Sequence, residues 1–366
     1  MSIEQQSRQR QEACFEQPTA VESAHEAGLR YVTDSMPGIT RKRAGRHFRY
    51  LDAQGEPVRD EKTLARIRSL VLPPAWKDVW ICTRPNGHLQ ATGRDAKGRK
   101  QYRYHSQWRE VRDATKYDSL VAFAHSLPAL RQHLEQDLQR QGLTREKILA
   151  TLVRLLDVAS IRIGNEEYMR SNGSFGLTTM REGHVDIEGS TIHFCFIGKS
   201  GKVLTIDVED RQLARIVKKC RELPGQELFQ YVDSAGERHT LSSDDVNAYL
   251  QAVCGQAFTA KEFRTWTGTV VAVGALIELG RAETKTREKK NIGEAVDHAA
   301  NYLGNTKAIC RKCYVHPALF TSYSDGSLWQ AVSSFEQHHA QKRFQGLSRE
   351  EAIVLTLLED FYGKCD

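Results

Sequence analysis

The spacing of apolar residues changes near residue 105 of this 366-residue chain. Before that point, short segments such as His47–Leu51 and Val79–Cys82 are rich in β-branched and aromatic residues and lie between turn residues. Asn86 and Gly87 form a favourable hairpin turn because both tolerate positive φ. Asp60 begins the one helix predicted in this part. The pattern predicts a small β-rich domain at residues 21–105.

After residue 105 the apolar residues recur every three to four positions, which is typical of helices. Thr144 and the capping box that starts at Thr259 mark two helix starts. Pro128 is expected to separate two helices, and the charged segment Arg281–Lys290 is expected to be a linker. Gly304 is expected to end the helix that follows this linker.

Three alternating or apolar segments inside the helical part predict a β-hairpin with one additional strand. The segments are 185–187, 191–197 and 203–208. Lys199 lies at the glycine-flanked tip between the last two segments. Without a functional role it would be interpreted as a solvated lysine. We therefore expect an α+β protein, with a disordered extension at residues 1–20, the β-rich domain, and a mostly helical domain with a β-hairpin at residues 106–366.

Composition narrows the choice of compartment and partner. No run of about 18 apolar residues occurs, so no membrane span is expected. The eight scattered cysteines suit a reducing cytoplasm, and the Cys310–Cys313 pair lacks the second pair that a zinc site needs. We interpret these two cysteines as structural. The net charge of +6 is compatible with a nucleic-acid partner without being diagnostic.

The end of the β-rich domain combines cations with aromatic residues. Cations can neutralise phosphates, and aromatic or amide side chains can reach bases or sugars, which favours DNA binding over a merely solvated edge strand. The candidate DNA-binding residues in this stretch are Arg99, Lys100, Gln101, Tyr102, Arg103 and Tyr104.

A tyrosine close to basic residues is the candidate for chemistry. Tyr314 follows Arg311 and Lys312, whose charges favour the phenolate and attract a polyanion, although an arbitrary tyrosine is usually a surface residue. Arg162 lies between two isoleucines, and by itself it would be interpreted as one half of a structural salt bridge. Arg264 lies in the first turns of its predicted helix, where the helix dipole attracts anions.

Several motifs in the same order and settings resemble the type IB DNA topoisomerases of the poxvirus and bacterial kind. They are Ala91–Tyr104, Ile161–Tyr168, Phe196–Lys199, Phe263–Trp266, Leu303–Thr306 and Cys313–Pro317. The resemblance implies an active site made of Arg162, Lys199, Arg264, Asn305 and Tyr314. It also implies that Tyr168 contacts the DNA backbone and that two domains clamp duplex DNA.

The resemblance further implies a reaction. Tyr314 would attack a phosphodiester to form a 3′-phosphotyrosine, Arg162 and Arg264 would stabilise the charge, and Lys199 would protonate the leaving oxygen. Such an enzyme relaxes supercoils without ATP, metal or another cofactor. We expect a cytoplasmic, nucleoid-associated monomer.

One departure and two alternatives remain open at this stage. Poxviral members have histidine where this chain has Asn305, whose neutral amide can donate a hydrogen bond but cannot act as an acid or base. His298 and His316 are interpreted as structural. A tyrosine recombinase would normally show His-x-x-Arg at the second arginine, whereas this chain has Lys261-Glu-Phe-Arg264. A non-catalytic DNA-binding protein is the other alternative.

Overall fold

The computed structural model describes residues 20–45, 47–96, 98–108, 110, 117, 119–338 and 344–363. The predicted N-terminal extension therefore lies outside the described residues, apart from Ala20. The chain divides into two compact units, Met1–Lys116 and Tyr117–Asp366. The α+β architecture predicted from the sequence is confirmed, with a β-sheet in the first unit and a larger, mainly helical second unit.

The first unit is built on a five-stranded antiparallel sheet in the order β2-β1-β3-β4-β5. Its elements are α1 (Ala20–Glu26), β1 (Ile39–Ala44), β2 (His47–Leu51), α2 (Glu61–Ser69), β3 (Lys77–Ile81), β4 (Leu89–Arg94) and β5 (Lys100–Tyr104). The Asp60 carboxylate accepts a hydrogen bond from the Thr63 backbone N–H at 2.9 Å, so the predicted start of α2 is confirmed. Ile67 of α2 packs on buried Ile39, Val79 and Ile81 of the sheet.

The second unit contains most of the helices of the described chain. They are α3 (Ser119–Leu138), α4 (Arg145–Ala159), α5 (Glu166–Asn172), α6 (Arg211–Arg221), α7 (Ser243–Cys254), α8 (Ala260–Leu279), α9 (Lys285–Tyr302), α10 (Lys307–Cys313), α11 (Ala318–Asp325), α12 (Ser327–His338) and α13 (Arg349–Gly363). Helix α8 packs against α3, α4, α7, α9, α11 and α13. Between Phe263 and Ile277 its one charged residue is Arg264, and a helix that is apolar on all sides is buried.

The predicted hairpin is confirmed as a three-stranded antiparallel sheet in the order β6-β7-β8. The strands are β6 (Val185–Glu188), β7 (Thr191–Ile197) and β8 (Val203–Glu209), and a separate small hairpin consists of β9 (Gln230–Val232) and β10 (Arg238–Thr240). Ile192, Phe194 and Phe196 of β7 are buried in the core, which fixes the register of the sheet. Ile197 and Val203 are the last pair before the tip.

Two predicted breaks were wrong. Pro128 lies inside the continuous helix α3, where Leu127 and Leu130 on either side of it are both buried. A proline inside a helix costs about 3 kcal/mol, whereas each buried leucine contributes about 1.5–3 kcal/mol, so packing outweighs the proline. The charged segment predicted as a linker is helical from Lys285 onward, because Thr284 caps α9 by accepting from the Arg287 N–H and because Lys, Arg and Glu favour helices.

Within the described residues, no helix combines the length and the apolar character that crossing a membrane requires.

A buried ionic network joins four helices of the second unit. Arg131 of α3 pairs with Asp157 of α4 at 2.9 Å and with Glu351 of α13 at 2.7 Å. The Trp266 indole N–H of α8 donates to the same Glu351 carboxylate at 3.0 Å. Burial by itself raises the pKa of Glu351, but Arg131 outweighs burial and holds that pKa below its usual range. The carboxylate is therefore charged at neutral pH and is protonated in acid.

Glu351→Gln is expected to lower the free energy of unfolding by about 3 kcal/mol, because it leaves Arg131 with one carboxylate in a buried setting. The measurement is a urea titration at pH 7, and the control is Glu350→Gln at the neighbouring, more exposed position, with an expected change within about 0.5 kcal/mol. The loss should shrink as the pH falls through the lowered pKa of Glu351, since protonation then removes the same charge from the unaltered protein. Equal unfolding midpoints for both variants at pH 7 would contradict a stabilising role for the network.

Candidate active site

Tyr314 lies directly after α10 and is held by its own backbone. Its N–H donates to the Cys310 carbonyl at 2.9 Å, which caps the helix. The Tyr117 hydroxyl is 3.2 Å from the Lys312 carbonyl oxygen and 3.1 Å from the Val315 carbonyl oxygen, on the two sides of Tyr314. A hydroxyl has one proton, so these two acceptors share it. The half-buried phenol is thus carried by a fixed turn.

Helix α8 approaches this turn closely at Gly268. A Cβ atom on Gly268 would lie 2.5 Å from the Tyr314 carbonyl oxygen and 3.1 Å from the Tyr314 Cβ. At the next residue, the Thr269 hydroxyl is 3.4 Å from the same carbonyl oxygen and accepts from the His316 N–H at 3.1 Å. Glycine is therefore required at position 268 for steric reasons, although its φ is not positive.

Arg264 is a buried cation held by two carbonyl groups. The residue is 6% exposed. One Nη group donates to the Ser160 carbonyl, and the other donates to the Leu303 carbonyl at 2.8 Å. The guanidinium carbon lies 5.1 Å from the centre of the Tyr314 ring, and Nε is buried without a partner in the described part of the chain. Burial, and then the charge of Arg162, lower the pKa of Arg264 to about 10.

The two carbonyls that hold Arg264 belong to the ends of two helices. Ser160 is the C-cap of α4, and Leu303 is the C-cap of α9. Carbonyl groups at a helix C-terminus lack intrahelical partners and carry partial negative charge. A buried guanidinium supplies both the hydrogen-bond donors and the positive charge that these carbonyls lack. Arg264 therefore joins α8 to the ends of α4 and α9.

Each of these helix ends also supplies a polar side chain two residues further along. Arg162 follows Ser160, and Asn305 follows Leu303, and an Arg162 Nη group donates to Asn305 Oδ1 at 2.7 Å. Gly304 has φ +64°, and the Asn305 N–H donates to the Ala300 carbonyl at 2.8 Å, which is the Schellman ending of a helix. Because Asn305 Oδ1 accepts from Arg162, the remaining hydrogen-bonding group of the amide is the Nδ2 donor. This Nδ2 is buried without a partner among the described residues.

The arginine pair changes the acidity of the phenol. Burial alone would raise the pKa of Tyr314, but the charges of Arg264 and Arg162 outweigh it and lower that pKa. The phenolate is therefore easier to form here than in water. Arg162 contacts an amide rather than a carboxylate, so the expected structural salt bridge is not found among the described residues.

Lys199 reaches the same region from the hairpin tip. It is exposed, and within the described residues it forms no hydrogen bond or ion pair. Leu204 of β8 packs under Gly198 and under Gly304, where a Cβ atom would lie 2.6 Å and 2.8 Å from it, so it ties the tip to the end of α9. A pocket of about 70 Å³ is lined by Lys199 together with Arg162 and Arg264.

The candidate DNA-binding residues in and next to β5 separate into two groups. The rings of Tyr102 and Tyr104 lie parallel with centres 6.0 Å apart and are 40% and 36% exposed. The polar residues between and beside them bind their own protein: Arg99 and Gln101 bind Asp95, Lys100 binds Asp34, and Arg103 binds the carbonyls of Leu70 and Val71. In the second unit, Tyr168 of α5 is exposed.

His316, which follows Tyr314 closely, is buried and fully bonded. Its Nδ1 accepts from the Ala318 N–H at 3.1 Å, and its Nε2 lies 3.0 Å from the Tyr362 hydroxyl. Burial lowers the pKa of His316 to about 4, so the ring is neutral at physiological pH. Burial also raises the pKa of Cys310 to about 11 and keeps it a thiol.

Sequence reasoning missed the residues that support the site rather than face it. These residues are Tyr117, Ser160, Leu204, Gly268 and Thr269. A glycine inside an otherwise apolar helix was a usable signal for Gly268, since it weakens a helix unless close packing requires it. The other four carry no local signal.

Comparison with known proteins identifies the family of this chain. The model of the family described as eukaryotic DNA topoisomerase I, catalytic core, matches residues 105–339, and that of the bacterial DNA topoisomerase IB N-terminal domain matches residues 47–95. DNA topoisomerase 1B of Acanthamoeba polyphaga mimivirus is 33% identical over 76% of this chain and 85% of the relative. DNA topoisomerase 1B of Vaccinia virus (strain Copenhagen) is 20% identical over 66% of this chain and 74% of the relative.

The chain therefore belongs to the type IB DNA topoisomerases, which are isomerases that act on DNA. The recombinase and non-catalytic alternatives are not favoured.

Gly268→Ala is expected to slow DNA relaxation by on the order of tenfold or more, because the added methyl group must displace the backbone that carries Tyr314. The measurement is the initial rate of plasmid relaxation, with thermal unfolding to verify the fold. Gly274→Ala in the same helix is the control: its Cβ would meet the Glu350 Cγ at an ordinary 3.6 Å. It should leave the rate unchanged and stabilise α8 by about 0.5–1 kcal/mol. Equal rates for the two variants would contradict the close approach at Gly268.

Proposed function

We propose that this enzyme relaxes supercoiled duplex DNA by opening one strand through a covalent bond to Tyr314. One observation carries the proposal: two buried donors, Arg264 Nε and Asn305 Nδ2, lack a partner in the described residues beside a phenol of lowered pKa. Buried donors without partners are costly and rare in folded proteins. A phosphodiester oxygen supplies the acceptors that both of them need.

The proposed step exchanges one phosphate ester for another. The Tyr314 phenol gives its proton to water, its oxygen bonds to phosphorus, and the bond from phosphorus to the 5′-oxygen breaks, which leaves a 3′-phosphotyrosine and a free 5′-hydroxyl end. Lys199 gives its proton to the departing 5′-oxygen. Resealing is the reverse of the same exchange. Because one ester bond replaces another, the cycle needs no ATP, metal ion or other cofactor as an energy source.

The charge that builds on the non-bridging oxygens is stabilised by groups that are already in position. Arg162 and Arg264 contribute positive charge, and Asn305 contributes a neutral N–H donor that does not change with pH. Preorganised donors of this kind act without reorganisation when the charge develops. Asn305 is oriented by Arg162, so the two residues are expected to act as one unit.

The first unit is proposed to supply part of the DNA-contacting surface. The parallel rings of Tyr102 and Tyr104 are exposed and can stack on bases or sugars. The flanking polar residues Arg99, Lys100, Gln101 and Arg103 would exchange some of their internal partners for phosphates, and Tyr168 would contact the backbone. On this proposal residues 21–105 serve as a DNA clamp and residues 106–366 as the catalytic domain of a nucleoid-associated monomer.

Tyr314→Phe is expected to abolish both relaxation and the covalent adduct while DNA binding is retained, because the substitution removes the single oxygen that forms the bond. Relaxation is measured on supercoiled plasmid in EDTA without ATP, and the adduct is trapped with detergent. Tyr231→Phe, on the β9–β10 hairpin, is the matched control with full activity. An adduct in the Tyr314→Phe protein would assign the nucleophile to another residue.

Lys199→Ala is expected to slow strand cleavage greatly on normal DNA but hardly at all when the bridging 5′-oxygen is replaced by sulfur. An alkoxide needs a proton to depart, whereas a thiolate leaves readily near neutral pH. Single-turnover cleavage of the two substrates measures the difference. Lys202→Ala, at the base of the same tip, is the control with little effect on either substrate.

Arg264→Ala should show no rescue by sulfur, since its role concerns the non-bridging oxygens. Slow cleavage of the sulfur substrate by Lys199→Ala would mean that the lysine positions DNA and that another group is the acid.

A further inference from the structure

Ser160 has a backbone conformation that serine rarely adopts. It ends α4 with φ 50° and ψ 27°, in the left-handed region. For a residue with a Cβ this region is strained, and helices usually use glycine or asparagine there. The conformation itself has a structural purpose, because it directs the Ser160 carbonyl toward Arg264. Glycine would provide the same carbonyl with less strain, so the backbone does not explain the serine side chain.

The Ser160 hydroxyl is equally unfavourable for stability. The residue is 2% exposed, and its Oγ has no hydrogen-bond partner in the described part of the chain. A buried hydroxyl without a partner costs free energy relative to one in water. Two destabilising features at one position, neither offset by a contact of the side chain, indicate a role outside the folding of the free protein.

The surroundings of Ser160 indicate what that role is. Ser160 lines the same pocket as Arg162, Lys199 and Arg264. Of the five buried polar side-chain atoms that lack a partner among the described residues, three belong to this site: Ser160 Oγ, Arg264 Nε and Asn305 Nδ2. All three can donate a hydrogen bond, and an anion with several oxygens can accept from all three.

We propose that the Ser160 hydroxyl is a further substrate-binding group of this enzyme, which donates a hydrogen bond to a non-bridging oxygen of the reacting phosphodiester. The inference rests on the proposed function of Tyr314 and its neighbours, and adds a residue to it. A hydroxyl is neutral, so it adds a donor without increasing the repulsion between the three cations of the pocket. Its bond strengthens as negative charge builds on that oxygen during cleavage.

The test compares two substitutions at this position. Ser160→Ala removes the hydroxyl and keeps the strained Cβ, whereas Ser160→Gly removes both and keeps the carbonyl that holds Arg264. Both proteins should form the covalent adduct about tenfold more slowly in single-turnover reactions at saturating enzyme, because a bond to a charged acceptor is lost. The melting temperature of Ser160→Gly should be equal to or higher than that of the unaltered protein, since strain is relieved.

A purely structural serine cannot give this combination. If its contribution were only to folding, its removal would lower the melting temperature, and any slower rate would accompany that loss of stability. Adduct formation by Ser160→Gly at the unaltered rate therefore overturns the proposal, and so does a lower melting temperature accompanied by the slower rate in both variants.

A chemical substitution in the DNA identifies the contacted atom. At a cleavage position mapped with the unaltered enzyme, a methylphosphonate replaces one non-bridging oxygen with a methyl group. The penalty of Ser160→Ala should disappear on one methylphosphonate diastereomer and remain on the other. An equal penalty on both diastereomers would mean that the hydroxyl acts through Arg264, which overturns direct contact.

The same experiments separate this inference from the proposed function. An unaltered protein that forms no adduct overturns both. An active unaltered protein with indifferent Ser160 variants overturns only the role of Ser160.

Discussion

The buried guanidinium of Arg264 is the feature on which the rest of the site depends. A charge on a buried, largely apolar helix is expensive to bury unless it is neutralised or fully bonded. The ends of α4 and α9 converge on it and supply the Ser160 and Leu303 carbonyls. These carbonyls lack intrahelical hydrogen-bond partners because they lie at helix C-termini. The same contacts therefore provide partners both for the guanidinium and for the two carbonyls. These contacts also join α4 to the consecutive helices α8 and α9, across a separation of 104 residues between Ser160 and Arg264.

That convergence explains why the reactive groups are neighbours. Two residues beyond each carbonyl, the chain places Arg162 on one side and Asn305 on the other, and these two side chains bond to each other. Helix α8 contributes Gly268 as well as Arg264, and the absence of a side chain at Gly268 lets the turn of Tyr314 approach. The candidate nucleophile, its cations and its neutral donor are thus positioned by backbone groups and close packing rather than by ion pairs.

The energetic consequence is a site that is electrostatically incomplete without an anion. Two arginines and an exposed lysine surround one pocket. Burial and the charge of Arg162 lower the pKa of Arg264, and the charges of both arginines lower the pKa of the Tyr314 phenol. In the described residues no carboxylate compensates Arg162 or Arg264. By contrast, the cations in and next to β5 are compensated by Asp34, Asp95 and backbone carbonyls. The arginines of the candidate site are therefore available to an anionic ligand, and the first unit exposes the aromatic rings of Tyr102 and Tyr104.

The amino-acid sequence by itself determined the local structure and the identity of the reactive residues. Capping boxes, the alternation of β7 and the Gly304 helix ending depend on neighbours a few residues apart, so they could be predicted and are confirmed. The family motifs likewise identified Arg162, Lys199, Arg264, Asn305 and Tyr314 as candidates, although their catalytic roles stay predictions. Pro128 was misjudged because packing outweighs its local cost. Lys285 was misjudged because two local signals were not used, the Thr284 cap and the helix propensity of Lys, Arg and Glu.

Tertiary structure alone decided how those candidates are held. The contact between Arg264 and Ser160 spans 104 residues, and that between Arg162 and Asn305 spans 143. No periodicity or cap encodes such a pair, since each partner looks ordinary in its own segment. The same is true of the Tyr117 hydroxyl and of Ser160, whose Oγ has no partner among the described residues. Their significance arises only where separate helix ends meet, because hydrogen bonding and burial are properties of the assembled core.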